Sequence, residues 1–457
     1  MNLVKKSIHF IGIGGIGVSA LAQYYLEKGY KISGSDLASS EITDNLKKKE
    51  GVNIFLGKHL AKNLPKDTDL VIHSLAVLPD NPELKEAKKL GIKIQSYPEA
   101  LGELTRKYFT IAVSGTHGKS TTAAMTALIL IKAGLDPTVI VGTKIKEFGD
   151  SNCRVGKPVR QAQGKVQYLV IEADEWRASF LNYRPKIIVL TNIEKEHLDF
   201  YKNLNDILKT YKKYIGHLPK DGVLIKNAKC ELRDAKWQGK VQNFFLRQKE
   251  TKKLKKILKV PGEHNVLNAL AALTVARILK IPDKISFRTL SKYKGSWRRF
   301  EEKELKIRNL KFKIINDYAH HPTEIEATIR AAREKFPRKK IWCIFQPHQY
   351  QRTYYLFDDF VKVFKGALRP VQKKQLIDKL IITDIYDVAG REEKKIKKKV
   401  SSEKLIEAIN EPLATYIPTI KKAADYLRKN LRGGEVLIIM GAGDIYKLSN
   451  ALVGVDR

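Results

Sequence analysis

Residues 110–122 read TIAVSGTHGKSTT, an apolar β-branched run that passes through glycines into a helical run. Gly115 and Gly118 flank Thr116 and His117, and Lys119, Ser120 and Thr121 follow directly. Glycines let backbone N–H groups close on phosphate oxygens, and the next helix turns its positive end toward them. A lysine placed there reaches the β- and γ-phosphates of a nucleoside triphosphate, and a hydroxyl can ligate magnesium. The spacing GTHGKS is shorter than the general GxxxxGK[ST] loop; a Ser- or Thr-capped helix beside an exposed lysine is the plain alternative. Glu172 follows the run YLVI in EADE, and His197 lies in TNIEKEHLD just past KIIVL. Adjacent strands would bring both near the loop, the carboxylate to hold the ion bridging the phosphates and the imidazole to hold a second divalent ion. A surface salt bridge for Glu172 and a helix cap or buried hydrogen bond for His197 are the ordinary readings. Magnesium prefers oxygen, which favours the acid as ligand.

A second glycine loop opens the chain. SIHFIGIGGIG carries Gly12, Gly14 and Gly17 in GxGxxG spacing, and Asp36 ends the run YKISGSD about where a ribose-binding acid would sit. This fits a dinucleotide, and equally any ligand that presents a diphosphate to a helix N-terminus. Six of the ten histidines, His117, His197, His264, His320, His321 and His348, fall in loop clusters, which argues for a site. No HxxxH or CxxC spacing accompanies them, so no structural metal is expected. Without a GxSxG elbow, and with no evident base beside Cys153, Cys230 or Cys343, covalent nucleophilic catalysis has no support.

These residues need a scaffold, and strand-like runs alternating with amphipathic helices predict doubly wound α/β domains. A chain of 457 residues is too long for one core, and three blocks are expected, at residues 1–107, 108–296 and 297–457. The first has the strands SIHFIGIG, YKISGSD and DLVIHSLAVL and the helix IGVSALAQYYLEKG. The second has the phosphate loop, a helix from Ser120 stopped by Gly134, the strands YLVIEAD and KIIVLTNIE, and a basic stretch near 228–260. It closes on PGEHNVLNALAALTVARILKI, a turn and helix with His264, Asn265 and Asn268 at its start. The third has FKIINDYAHHPTEI, KKIWCIFQPHQYQRT, KLIITDIYDVAG and GEVLIIMGAGD. Each is an apolar run ending in polar or glycine residues, at the strand ends where ligands of such sheets bind.

The formal charge of +36 raises nucleic-acid binding as a hypothesis. Its clusters, at Lys47–Lys49, Lys252–Lys256 and Lys394–Lys399, are not interleaved with base-stacking aromatic residues. Most of the charge therefore reads as solvated helix faces that attract polyanionic substrates, with no specific nucleic acid as partner. Lys132 interrupts the longest apolar run, so no membrane insertion is expected. The opening residues pass straight into a strand and glycine loop, which fits no signal peptide, and the scattered cysteines suggest a reducing cytoplasm.

Taken in order, GIGGIG with SGSD, GTHGKST, EADE, TNIE with HLD, PGEHNVLNALAA, RRFE, DYAHHPTEI, FQPH with RT, LFDDF and GAGDI resemble the Mur ligase family over nearly the whole chain. The resemblance implies an N-terminal Rossmann-like domain for a UDP sugar, a central P-loop ATPase-like domain for ATP, and a C-terminal Rossmann-like domain that closes over both and helps bind the amino acid. Within the family the motifs look closest to members that join L-alanine to UDP-N-acetylmuramate through an acyl phosphate, a cytoplasmic step of peptidoglycan precursor synthesis. Members that recycle a whole tripeptide onto the same sugar are the nearest alternative. A nicotinamide-dependent oxidoreductase built on GIGGIG is a more distant one.

By the same resemblance Gly12, Gly14, Gly15, Ile16, Gly17, Asp36 and Ser74 bind the UDP sugar. Gly115 through Thr121, with His264, Asn265, Asn268 and Asp317, bind ATP, the two asparagines approaching adenine. Ser120 or Thr121 with Glu172 hold the first Mg2+ and His197 the second, while Tyr318, His320, His348 and Arg352 face the amino acid and the intermediate. A monomer or weak homodimer is expected. The chain departs from the family pattern at Gln349, where an arginine is usual, at Trp176–Arg177–Ala178 after EADE, at Glu196 and at Asn316. A neutral amide at 349 cannot make a bidentate charged pair with a carboxylate or acyl phosphate.

Overall fold

The computed structural model describes residues 6–161, 164–230, 232, 237, 239–307, 310–369, 375–388 and 394–453. The sequence reading of the extreme N-terminus and of the basic stretch near 228–260 therefore falls partly outside the described residues. The fold is α/β throughout, with three large sheets and a two-stranded ribbon.

The first sheet is wholly parallel, in the order Val52–Leu56, Lys31–Asp36, Ser7–Ile11, Leu70–His73, Lys93–Ser96. Its central strand is buried along its full length, as a strand covered on both faces must be. The order reverses beside that strand, and the glycine loop leaves its carboxyl end at the resulting crevice. One expected strand is shorter than its apolar run suggests. DLVIHSLAVL pairs only over Leu70–His73. Ser74 N–H still bonds the Ile11 carbonyl (2.9 Å), but the Ser74 carbonyl then accepts Val77 N–H (3.1 Å), closing a turn where the sequence reads as strand.

The second sheet runs Lys240–Phe244, Val223–Asn227, Ile187–Leu190, Phe109–Ser114, Tyr168–Ala173, Thr138–Ile145, Ser151–Arg154, with the last pair antiparallel. Phe109–Ser114 lies between the strands that precede EADE and TNIE, so both motifs emerge beside the phosphate loop. The helix Lys119–Lys132 is apolar nearly all round, and Ala123 through Leu130 are buried. Burial of Ile129 and Leu130 contributes roughly 1.5–3 kcal/mol each. KIIVLTNIE is strand only to Leu190; Thr191 N–H still bonds the Ser114 carbonyl (3.0 Å), and the chain then follows the loop, the Asn192 carbonyl accepting Thr116 N–H (3.1 Å).

The third sheet orders Glu301–Ile307, Leu310–Asp317, Val436–Met440, Ile341–Phe345, Lys379–Ile382, Ala414–Tyr416, with only the first pair antiparallel. Its two faces bury separate apolar clusters, one around Phe345, Phe360 and Phe364 and the other around Ile344, Ile439 and Leu448. The ends of Leu310–Asp317, Ile341–Phe345 and Val436–Met440 release DYAHH, QPHQY and GAGD on the same edge. By chain contacts the first two sheets form one compact unit and the third sheet forms another, to which residues 194–204 and 246–267 also belong. Among the described residues no helix is long and apolar enough to cross a membrane, and Cys153, Cys230 and Cys343 are buried and unpaired.

Candidate active site

In the first unit, Gly12 takes φ +79°, a left-handed conformation that glycine adopts without strain. Gly12 and Ile13 N–H both donate to the Ser35 carbonyl (2.8 and 3.1 Å), and Gly14 N–H donates to Asp36 Oδ2 (2.8 Å). Close packing explains the other glycines. A Cβ on Gly14 would lie 2.8 Å from Asp36 Oδ2, and one on Gly17 2.9 Å from the Tyr97 ring. Ser74 Cβ would meet a Cβ on Gly12 at 3.0 Å. The helix Ile16–Glu27 starts from Gly15 with no side-chain cap, which leaves its positive end available to an anion. One Asp36 oxygen thus ties down the loop in addition to the ribose-binding place that the sequence reading gives this acid.

The phosphate loop is held from three sides. A Cβ on Gly115 (φ +130°) would fall 2.1 Å from Thr191 Oγ1, and one on Gly118 (φ +81°) 2.4 Å from Asn268 Oδ1. His117 N–H donates to Asn192 Oδ1 (2.8 Å), while Thr191 Oγ1 donates to the His117 carbonyl (2.6 Å). Lys119 Nζ donates to the carbonyls of Gly115 (2.7 Å) and Thr116 (3.3 Å) and pairs with Glu175 Oε2 at 3.0 Å. Burial alone would push the ammonium down, but the carboxylates of Glu175 and Asp174 reverse this and hold it above the ordinary lysine range. Ser120 and Thr121 are buried at the helix start. Glu172, in register with Val113, accepts Gly142 N–H at 2.6 Å. Asn268 Oδ1 also accepts Thr122 Oγ1–H (3.2 Å). This places the Asn268 side-chain oxygen against the phosphate loop.

In the second unit, Arg352 is buried, and its Nε and Nη2 donate to Glu196 Oε1 (2.9 and 2.8 Å). Its Nη1 bonds the His348 carbonyl (2.9 Å) and approaches His348 Nδ1 (3.0 Å). Burial would raise the Glu196 carboxyl, yet Arg352, with His197, His320 and His321, holds it well below the usual carboxylate range. His348 stacks on Tyr386 at 5.6 Å, and the His320 ring lies 6.1 Å away. His320 Nδ1 lies 3.0 Å from the Tyr318 carbonyl and 3.2 Å from Glu324. Burial lowers its pKa to about 4, against the raising effect of Glu324, so the ring is neutral at pH 7. Tyr318 packs beneath the guanidiniums of Arg298 (4.8 Å) and Arg299 (4.5 Å). Asp317 accepts N–H from Phe300 (2.7 Å) and Ala319 (2.8 Å), and burial raises its pKa to about 6. His264, packed over Gly262, is lowered by burial to about 4. Asn265 Nδ2 caps the Pro261 carbonyl (2.7 Å). His197, Arg298, Phe300 and Gln349 all adopt positive φ, at 55°, 55°, 49° and 72°. Each costs on the order of 1–3 kcal/mol and belongs with functional segments more than with scaffold.

Residues 7–109 match the family described as Mur ligase family, catalytic domain; residues 113–251 match Mur ligase middle domain, and 298–443 match Mur ligase, glutamate ligase domain. The UDP-N-acetylmuramate--L-alanine ligase of Acetivibrio thermocellus is 40% identical over 97% of this chain and 94% of its own length. The chain belongs to the Mur ligase family. The enzyme of the same name from Clostridium acetobutylicum is 39% identical, covering 98% of this chain and 97% of its own. Among solved structures, UDP-N-acetylmuramate-alanine ligase MurC from Thermotoga maritima aligns with a TM-score of 0.77 at 28% identity over 98% of both chains. A murein peptide ligase from Psychrobacter arcticus shares the fold at a TM-score of 0.72 and 23% identity, covering 99% of this chain and all of that one.

Several residues of this Mur ligase site escaped the sequence reading. Glu175 is the third acid of EADE, three positions past Glu172, and only the fold turns it to Lys119. Thr191 and Asn192 sit inside TNIE, a motif read there for its histidine. Tyr386 closes on His348 from a different strand end, with no local signal beyond the polar end of KLIITDIYD. Asn316 accepts Ser449 Oγ–H at 3.0 Å, a bond that a neutral amide makes without burying a charge.

Proposed function

We propose that this Mur ligase uses ATP to join L-alanine to UDP-N-acetylmuramate, a step in making peptidoglycan precursor. The observation that carries the reading is the 40% identity over 97% of the chain to a ligase of that name. A lysine held ready at a glycine-bounded helix start supports it.

A free carboxylate is a poor electrophile. Its oxygen attacks the γ-phosphorus, the bond to the bridging oxygen breaks, and ADP leaves with that electron pair, giving an acyl phosphate. The amine of alanine then attacks the acyl carbon, loses a proton and expels inorganic phosphate. Catalysis consists mostly of positioning and charge neutralisation. Lys119 exchanges Glu175 and two carbonyls for the γ-phosphate, and the N–H groups of Gly115–Thr121 line the phosphates. The hydroxyls of Ser120 and Thr121 and the carboxylate of Glu172 form the hard oxygen set that Mg2+ requires, so these residues would hold the ion. Bound there, it neutralises charge on the β- and γ-phosphates. The family pattern assigns a second ion to His197 and the nucleotide to His264, Asn265 and Asp317. Asn268 supports the loop from Gly118. Gly12, Gly14, Gly15, Ile16, Gly17 and Ser74 take the UDP sugar, with Asp36 holding their loop. Tyr318, His320, His348 and Arg352 take the amino acid.

Domain limits at 1–107, 108–296 and 297–457 suit the matched segments 7–109, 113–251 and 298–443. The enzyme works in the cytoplasm as a monomer or weak homodimer. Lys119→Ala tests the reading. Turnover should be lost with UDP-N-acetylmuramate binding retained; NADH binding untouched by the substitution would favour an oxidoreductase instead.

A further inference from the structure

Arg177 carries an unassigned function. The segment Trp176–Asn182 follows EADE directly, and within it Arg177 (φ 50°, ψ 31°) and Ala178 (φ 54°, ψ 28°) are consecutive non-glycine residues in the left-handed region. Such a conformation persists only where the surroundings enforce it. It swings the Arg177 guanidinium over the Trp176 ring, 5.0 Å from its centroid, so that Nη1 reaches the Leu75 carbonyl at 3.2 Å. Leu75 adjoins Ser74, whose Cβ abuts Gly12 of the first glycine loop. The side chain therefore links the acids beside the phosphate loop to the edge of the diphosphate loop, all within the first compact unit.

Charge decides what it does there. Glu172, Asp174 and Glu175 place three carboxylates in four residues, and Lys119, paired with Glu175 here, is the cation that goes to the γ-phosphate. A further carboxylate brought to this place must be matched by a cation. Arg177 is exposed, and its contacts among the described residues are a carbonyl and a ring, with no carboxylate among them. Its N–H fork is thus available for bidentate contact with an incoming anion.

We propose that Arg177 binds the reacting carboxylate of the UDP sugar and orients it between the two glycine loops. The proposal rests on the ligase reading above. The glycine loop and the bare start of the helix Ile16–Glu27 already serve the diphosphate, which leaves the carboxylate as the anion in need of a partner. An exposed side chain can be truncated without disturbing the core, so Arg177→Ala should keep the wild-type melting temperature.

The test measures binding of two sugars by calorimetry, one with the carboxylate (UDP-N-acetylmuramate) and one without (UDP-N-acetylglucosamine). Arg177→Ala should weaken the first roughly tenfold or more, the loss of a charge-assisted pair, and leave the second unchanged. Arg177→Lys should recover part of the affinity. Equal weakening of both sugars would move Arg177 to the diphosphate and overturn the proposal, and unchanged affinity for both would reduce it to a cap on Leu75. If wild-type protein failed to bind UDP-N-acetylmuramate at all, the ligase reading itself would fall.

Discussion

Two buried groups in the second unit titrate in opposite senses. His264 is lowered by burial from 6.5 to about 4, so between those values the unfolded chain binds the extra proton and the folded state loses stability as pH falls. Asp317 is raised by burial from 3.8 to about 6; the folded state binds the extra proton there, and its contribution is lost as pH rises through 6. Each shift corresponds to roughly 3 kcal/mol at full extent, and across pH 4–6 the two nearly cancel. Asp317→Asn should therefore lower the melting temperature relative to wild type more at pH 4.5 than at pH 7. His264→Gln should give the reverse pattern, with its larger deficit at pH 7. Equal deficits at both pH values, read by calorimetric melting, would contradict the burial assigned to these groups. At Gln349 the helix Tyr350–Tyr355 starts from a buried residue with φ +72°, N–H bonded to the Tyr386 carbonyl (3.0 Å). Lacking charge, the amide leaves Arg352 as the cation of this motif, and Arg352 is already paired with Glu196. Comparing alanine, serine and glycine, Gln349→Arg should change kcat/KM by several-fold for at least one of the three, since it adds a charge within reach of Glu196. An unchanged ranking and rate would separate position 349 from amino-acid choice.

At the level of elements, the phosphate loop depends on backbone that only glycine supplies. Gly118 combines φ +81° with a Cβ position 2.4 Å from Asn268 Oδ1. Gly118→Ala is expected to weaken ATP binding at least tenfold by displacing the loop, while UDP-sugar binding, served by another sheet, stays within about twofold. Unchanged ATP affinity would mean that the loop does not cradle phosphate. Both glycine loops were legible in the sequence because strand, glycine spacing and helix are local signals. The helix Lys119–Lys132 and its stop before Gly134 were legible for the same reason. Strand ends were not. DLVIHSLAVL stays apolar past His73, but a hydrogen-bonded turn at Ser74 overrides its strand propensity. Nor were the partners of the charged site residues. Glu196 and Arg352 are 156 positions apart and Lys119 and Glu175 are 56, and no periodicity connects them. Asp36 illustrates the middle case, found by its place at a strand end but holding the loop with its own carboxylate.

Across the whole molecule the formal charge of +36 acts on substrates that are themselves polyanions. Steering of a UDP sugar and ATP by such a field is screened by salt, because the Debye length falls from about 10 Å at 0.1 M to about 3 Å at 1 M. Hence kcat/KM for UDP-N-acetylmuramate should fall several-fold over that range, with kcat less affected. A nucleic-acid surface would instead give tight, steeply salt-dependent binding to duplex or single strands, which the scattered lysines do not favour. Each of the three sheets releases polar motifs at its strand carboxyl ends, where ligands of such sheets bind. Which amine arrives last is the claim on which the rest depends. The direct test is phosphate release by the purified protein with ATP, Mg2+ and UDP-N-acetylmuramate, comparing free L-alanine with the tripeptide of the recycling enzymes. Release that requires both the sugar and L-alanine, and ignores the tripeptide, is the expected result. Release that depends on the tripeptide and is indifferent to L-alanine would contradict it.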